Sequence, residues 1–370
     1  MIQRAKIDAT SNIVAGLDIN PRIISAANRA GCGSSWNLLC TSKSELEQKT
    51  GLSGSDVDIL ISAVAKYLLP KQISAWEMLE DTDYNIPRIS AGCSQLDQFL
   101  GGGIPSYGIT DITGESGCGK TQLALQLSLQ AQLSPNHGGF GKGVAYICTE
   151  CQFPVVRLHQ LISQMKKKFP QGPESYTDRL FIHHISDVDN LLDCIRYQLP
   201  ALASRHQIGL VIIDSVAAVF RAEDGAEVNK PQALQMLGYK LHQLSSLNDI
   251  AVVTINQVTA SINNKNLYGM NSDVTPALGL SWANLVTTRL ILSRCSSYIG
   301  ALHFHCSDDK GKVEPHALEK SYRQVKYRLR MLEVLYCPWL PRKSVPFVIT
   351  THGLENIDPN TVSTSYVHDS

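Results

Sequence analysis

The chain has 370 residues, 44% of them hydrophobic and 18% charged, with 33 basic side chains set against 33 acidic ones. That length holds one large domain and a smaller companion, and the composition is that of a globular protein. The balanced charge excludes a protein that coats nucleic acid by bulk charge, although it permits local basic patches. No apolar run is long enough to cross a bilayer, and the N-terminus lacks an apolar leader, so neither membrane insertion nor secretion is expected.

Three regions follow in chain order: residues 1–70 as an N-terminal helical domain, 71–90 as a linker, and 91–370 as a large α/β core. Short helical patterns cover Pro21 to Ala30 and Ser44 to Lys49. After Gly51 and Gly54, an apolar-periodic stretch places Val57, Leu60, Ile61, Val64 and Leu68 on one face, with Ser53 or Ser55 as its cap and Pro70 as its stop. A Gly-containing turn between two short helices is helix-hairpin-helix-like. It suits backbone amides meeting a phosphate, and it suits partner docking equally well, since no basic stripe accompanies it. The linker is polar and acidic, with Pro87 near its end. From Ala91 on, β-branched runs (Gly108 to Thr113, Val144 to Cys148, Leu180 to Ile185, Leu210 to Ile213, Ile250 to Ile255) alternate with helical patterns such as Gln122 to Gln132 and Val188 to Leu199. That alternation predicts a mostly parallel central sheet covered on both faces.

The chemistry concentrates at the ends of those strands. Directly after the first comes Gly114, Glu115, Ser116, Gly117, Cys118, Gly119, Lys120 and Thr121, with Gln122 opening a helix. This is a P-loop in its strand–loop–helix setting. Its glycines let backbone amides surround phosphates, and the helix N-terminus adds partial positive charge. Lys120 supplies a point charge for the β- and γ-phosphates, and Thr121 a hydroxyl for Mg²⁺. Asp214 ends the apolar run Leu210 to Ile213, where a second Mg²⁺ ligand belongs. Glu150 lies just past the Val144 to Cys148 run, placed to orient a water, and Gln257 follows the Ile250 to Ile255 run as a sensor of the γ-phosphate. Each alone is an ordinary surface polar residue; their convergence on one crevice predicts a site for ATP and Mg²⁺.

At these residues the sequence resembles the RecA-class recombinases and their eukaryotic paralogues, from the helical module to Ile349. The likeness is carried by Gly114 to Gln122, Tyr146-Ile-Cys-Thr-Glu150, Val211-Ile-Ile-Asp214-Ser215, Phe220-Arg221, Asn256-Gln257-Val258-Thr259 and Pro276 to Asn284. It implies a RecA-like P-loop ATPase core and a role in homologous-recombination repair. It implies pairing with a second RecA-like paralogue to assist the main recombinase filament on single-stranded or branched DNA, in the nucleus and also the cytoplasm. It implies, further, that Arg157 stacks its guanidinium on adenine and that Thr259 to Leu280 is a DNA-binding loop. That loop holds one cation, Lys265, and one ring near it, Tyr268, fewer than strong single-strand binding needs. The linker carries Trp76-Glu-Met-Leu79 and Ile73-Ser-Ala75 in place of the Phe-x-x-Ala hook of filament-forming relatives, which favours one defined heterologous contact. Two alternatives stay open: an ATP-stabilised scaffold with little hydrolysis, and a hexameric RecA-like ATPase, which the N-terminal module and the Pro276 to Asn284 segment disfavour.

Other clusters carry less. Ten cysteines without a leader read as reduced thiols, and the Cys148/Cys151 pair, lacking a second pair, reads as two buried or half-buried thiols rather than a zinc or redox site. His303, His305 and Cys306 do not make a closed metal set, and His183 and His184 read as structural. Lys326, Arg328 and Arg330 alternate with apolar residues and read as a charged edge strand, with a DNA or partner surface as the alternative.

Overall fold

The computed structural model describes residues 17–32, 38–39, 41–68, 73–80, 86–222, 229–260, 274–304 and 322–357. They fall into two compact units, residues 1–86 and 87–370.

In the first unit the helices Pro21–Arg29, Lys43–Thr50 and Gly54–Leu68 enclose a small core of Ile23, Ala27, Leu38, Leu46, Val57, Leu60 and Val64. Asn20 caps the first helix, Ser42 the second, and the Ser53 hydroxyl accepts from the Asp56 amide at the start of the third. Gly51 closes the second helix at φ 68°, a conformation that glycine adopts without steric cost, and so turns the chain straight into the third. Arg22–Asp56 and Lys43–Asp58, each at 2.6 Å, tie the helices across the surface. The linker is not uniformly irregular: Ala75–Glu80 is a helix. Ser74 and Glu77 form a reciprocal capping box at its start, with the Ser74 amide 2.6 Å from Glu77 Oε2 and the Glu77 amide 3.1 Å from Ser74 Oγ.

The second unit opens with a small antiparallel pair, β1 (Arg88–Ile89) and β2 (Ile104–Pro105). The main sheet is built from β3 (Ile109–Gly114), β4 (Gly143–Cys148), β5 (Leu180–His184), β6 (Ile208–Asp214) and β7 (Ala251–Asn256). After the short pair β8 (Val258–Ala260) and β9 (Val274–Pro276) come β10 (Thr288–Phe304), β11 (Tyr322–Tyr336), β12 (Ser344–Thr350) and β13 (Gly353–Glu355). Among the described residues the sheet has nine strands in the order β13-β12-β11-β10-β3-β7-β6-β4-β5. Pairings from β10 through β3, β7, β6 and β4 to β5 are parallel; β10–β11, β11–β12 and β12–β13 are antiparallel.

The parallel strands are apolar on both faces because both are covered. Val144, Tyr146, Cys148, Leu210 and Ile212 face one core, shared with the helices Lys120–Gln130 and Val155–Lys168. Ala145, Ile147, Val211, Ile213 and Val252 face the other, under the helices Val188–Asp193 and Lys230–Asn248. Each buried Ile or Leu contributes about 1.5–3 kcal/mol. The RecA-like α/β core is therefore present as read.

One expectation needs correction in part. β12 pairs with β11 only along Arg330–Glu333, so Arg330 lies inside the sheet, whereas at Lys326 and Arg328 the pairing is with β10 alone; Arg328 Nε donates to the Cys295 carbonyl and Arg330 Nη1 to the Arg328 carbonyl. The helical pattern from Val188 to Leu199 is present, as the helix Val188–Asp193, a π-helical turn at Cys194–Gln198 and the helix Leu199–Arg205.

Candidate nucleotide site

Parallel strands all end at one edge, so a residue just beyond each C-terminal end reaches the same crevice. Here β3, β7, β6 and β4 lie side by side, and their ends deliver Gly114, Asn256–Gln257, Asp214 and Thr149–Glu150. The result is a cleft of about 910 Å³ lined by the P-loop, Tyr146, Glu150, Asp214, Ser215 and Gln257, among others. All of the expected P-loop residues except Cys118 face it; Cys118 is buried behind the loop.

Glycine is required twice in this loop. A Cβ on Gly114 would strike the backbone carbonyl of Leu292 and lie 2.8 Å from Cys118 Sγ. Gly119 holds φ 110°, and a Cβ there would lie 2.5 Å from Ile349 Cδ1. Lys120 Nζ donates to the Gly114 and Glu115 carbonyls at 2.6 and 2.8 Å, so its ammonium is held over the loop. Thr121 Oγ1 donates to Asp214 Oδ2 at 2.9 Å, and Tyr146 OH donates to the same oxygen at 2.7 Å. Burial pushes the Asp214 carboxyl above the usual carboxylate range. The Tyr146 and Thr121 hydroxyls and the Lys120 ammonium pull it back, while Glu150 adds to the rise. A nearly buried carboxylate beside a threonine hydroxyl is a hard-oxygen donor set of the kind Mg²⁺ takes, and the loop's amides suit phosphate oxygens. The residues present fit Mg²⁺ and a nucleoside triphosphate.

Glu150 is exposed and engaged. Gln257 Nε2 donates to its Oε2 at 2.6 Å, Ser215 Oγ lies 3.5 Å from the same oxygen, and Arg221 Nη2 lies 3.5 Å from Oε1. Thr149 Oγ1 locks Ser215 by donating to its carbonyl at 2.6 Å and accepting its amide at 2.8 Å, which joins the ends of β4 and β6. Arg157 lies to one side. Its Nε donates to Gln122 Oε1 at 2.7 Å and its Nη2 to the Thr350 carbonyl at 2.7 Å, so it braces the P-loop helix against the end of β12.

Below Gln257 lies a buried network that the sequence did not announce. Asp111 and Arg289 are both fully buried and pair at 2.9 Å. Asp111 also accepts from Thr254 at 2.8 Å, Trp282 Nε1 at 3.2 Å and Asn256 Nδ2 at 3.3 Å. It joins β3, β7, β10 and the short helix Gly279–Ala283 directly behind the Asn256–Gln257 step.

Tyr146, Arg221, Arg294 and Arg330 were not singled out for the site. Tyr146 could have been found from strand alternation, since it shares a sheet face with Cys148, two residues before Glu150. Cys148 and Cys118 are held as neutral thiols, Cys148 pushed up to about 12 by burial and then by the Asp214 charge, Cys118 raised by burial. Cys151 is exposed, not half-buried as read, and among the described residues no cluster of three or more His, Cys, Asp or Glu side chains is placed to hold a metal by itself. His305, Cys306 and the heart of the expected DNA-binding loop, residues 261–273, lie outside the described residues. No helix of the described residues is long and apolar enough to cross a membrane.

Comparison with known proteins shows the family. The Rad51 family model matches residues 83–300. The chain is 36% identical over 364 residues to DNA repair protein XRCC3 of Mus musculus, covering 94% of this chain and 98% of the mouse protein. It is 34% identical over 291 residues to the XRCC3 homolog of Arabidopsis thaliana, covering 72% of this chain and 92% of the plant protein. It is 30% identical over 288 residues to DNA repair protein RAD51 homolog 2 of Homo sapiens, covering 70% and 75% of the two chains. Rad51 and RecA proteins form a family of nucleotide-binding ATPases, and this chain, a RecA-class paralogue similar to XRCC3 along nearly its whole length, belongs to the Rad51 family.

Proposed function

We propose that this chain is a Mg²⁺- and ATP-dependent paralogue of the main recombinase, and that nucleotide binding controls its assembly with a second RecA-like subunit. Membership of the Rad51 family carries the role itself, DNA repair by homologous recombination. The observation that supports the nucleotide reading is the convergence of Lys120, Thr121, Asp214, Glu150 and Gln257 on one cleft at the C-terminal edge of adjacent parallel strands. In this reading the pair assists the recombinase filament on single-stranded or branched DNA in the nucleus, with a share in the cytoplasm.

Mg·ATP, when bound, would supply the phosphoanhydride, with its charge partly neutralised by the cation. Lys120 and the loop amides would hold its phosphates, and Thr121 with Asp214 would hold the metal. Glu150 would orient a water and take its proton as the water oxygen bonds to the γ-phosphorus and the bond to the β-phosphate oxygen breaks, with ADP as the leaving group. Gln257, 2.6 Å from the Glu150 carboxylate, links it to Asn256 and the Asp111 network. Arg157 steadies the P-loop helix on the base side of the site.

A second reading has its own support. Glu150 meets Gln257 on one oxygen and Arg221 on the other, contacts that compete with a water for its lone pairs and weaken it as a base. In that case ATP stabilises a scaffold and hydrolysis is slow. Steady-state phosphate release by the full-length chain, with and without a co-expressed paralogue, separates the two. Turnover abolished by Glu150→Gln with ATP binding intact supports the enzyme. Binding and pairing without turnover in either form supports the scaffold.

A further inference from the structure

We propose that Arg330 is a direct ligand of the nucleotide's phosphate chain, supplied by this same chain from the antiparallel wing of the sheet. The proposal rests on the nucleotide reading of the cleft and adds to it a residue from a strand outside the P-loop, Mg²⁺ and water-orienting set.

Arg330 stands on β11 opposite Arg294 on β10 and faces the cleft beside Gly119 and Ile349. Its Cδ and Nε lie 3.6 Å from where a Cβ on Gly119 would stand, so the glycine that shapes the loop also lets the guanidinium approach it. Arg294 closes on the same flank, with Nη1 3.5 Å from the corresponding point at Gly117 and Nη2 3.5 Å from Glu115 Oε2. Asp214 and Glu150 stand on the strand ends across the cleft. Among the described residues Arg294 is already paired with Glu115, and Arg221 with Glu150, whereas no ion pair reaches Arg330, which leaves its guanidinium as the cation on this flank with charge to offer a polyphosphate.

The hydrogen-bond accounting points the same way. Arg330 Nη1 donates to the Arg328 carbonyl at 3.1 Å, but its Nε is buried with no partner. A buried charged donor without an acceptor is costly, and native structures keep few of them without a role. Burial lowers the Arg330 pKa, and the nearby Arg328 and Arg294 charges add to this, Cys118 acting against them. Glu115 partly offsets Arg294, but the charge of Arg330 has no such partner among the described residues. A phosphate chain lying on the P-loop provides one, and a guanidinium can meet phosphate oxygens with two parallel bonds where an ammonium offers a point charge.

The test is an equilibrium titration of the full-length chain, in Mg²⁺, with fluorescent analogues of ATP and ADP. The chains compared are wild type, Arg330→Gln, Arg330→Lys and Lys120→Ala, with thermal melting of each nucleotide-free chain alongside. Arg330→Gln is expected to weaken ATP-analogue binding by about ten- to a hundredfold, the range of a lost charge-assisted contact. Arg330→Lys should recover part of that loss, and the deficit should shrink as salt rises. Both variants should melt as wild type does, while the melting shift that ATP produces falls. Wild-type affinity in a folded Arg330→Gln chain overturns the proposal. If Arg330→Gln does not fold, Arg330→Lys decides by the same measurement, and affinity equal to wild type in that chain is again fatal. Lys120→Ala separates the two levels of inference. Loss of binding in Lys120→Ala with none in Arg330→Gln refutes this proposal alone, whereas unchanged binding in Lys120→Ala refutes the nucleotide reading beneath it.

Discussion

Asp111→Asn is the substitution whose cost follows most directly from the structure. Asp111 and Arg289 are fully buried and 2.9 Å apart, and both terminal nitrogens of Arg289 lack hydrogen-bond partners although its guanidinium lies over the Tyr336 ring. Removing the carboxylate charge leaves a buried cation with nothing to compensate it, a loss of about 3–5 kcal/mol. In a unit of this size each kcal/mol moves the melting temperature by about 2–4 °C. The expected fall is thus roughly 6–20 °C. Urea unfolding followed by tryptophan fluorescence is a suitable assay, because Trp282 donates to Asp111 and reports on the network. Arg289→Met alone should also be costly, since it strands the carboxylate. Asp111→Asn with Arg289→Met should cost much less than the two single changes summed, because both charges leave together. The reasoning is refuted if Asp111→Asn costs under about 1 kcal/mol, the scale of an ordinary surface pair, or if the double substitution is simply additive.

Two further outcomes follow from Asp214. Tyr146→Phe removes a donor that favours the ionised carboxylate, so Mg²⁺-dependent nucleotide binding should weaken by about tenfold, the lower end for a hydrogen bond to a charged group, and its acid limb should move to higher pH; a magnesium titration at several pH values shows whether it does. Because the Asp214 pKa is raised on folding, the native chain keeps a proton that the unfolded chain has released. That contribution to stability is present below the ordinary aspartate range and is lost as pH rises through the raised value. Asp214→Asn should remove this dependence from the nucleotide-free chain's melting curve while abolishing the magnesium requirement. A melting profile with the same pH slope in both forms contradicts the assignment.

The parallel half of the sheet was legible because each strand is a short β-branched run covered on both faces, and because the P-loop sits between a strand and a helix where its chemistry demands. Leu210 to Ile213 followed by Asp214 is such a case: buried strand, then carboxylate. The antiparallel wing was not legible in the same way. Alternation in Lys326 to Met331 told which residues share a face, but nothing local says that β12 pairs outside β11 from Arg330 to Glu333 and makes that part of an apparent edge strand interior. The placement of Arg330 beside Gly119, some two hundred residues earlier in the chain, follows only from that long-range pairing. The Asp111 network was hidden for a related reason, since an aspartate in an otherwise apolar strand declares its partners only when Thr254, Trp282 and Arg289 arrive from distant segments. The helix Ala75–Glu80 is a different kind of miss. Its capping box, Ser74 with Glu77, stands in the sequence, but six residues are too few to show a helical period.

Calorimetric titration of ATP into the full-length chain, with and without Mg²⁺, tests the central claim most directly when repeated on Lys120→Ala and Thr121→Ala. The account predicts saturable one-to-one binding that requires the metal, collapses in the lysine variant and loses its metal dependence in the threonine variant. Absence of binding by the folded wild-type chain, or binding indifferent to both substitutions, would contradict it.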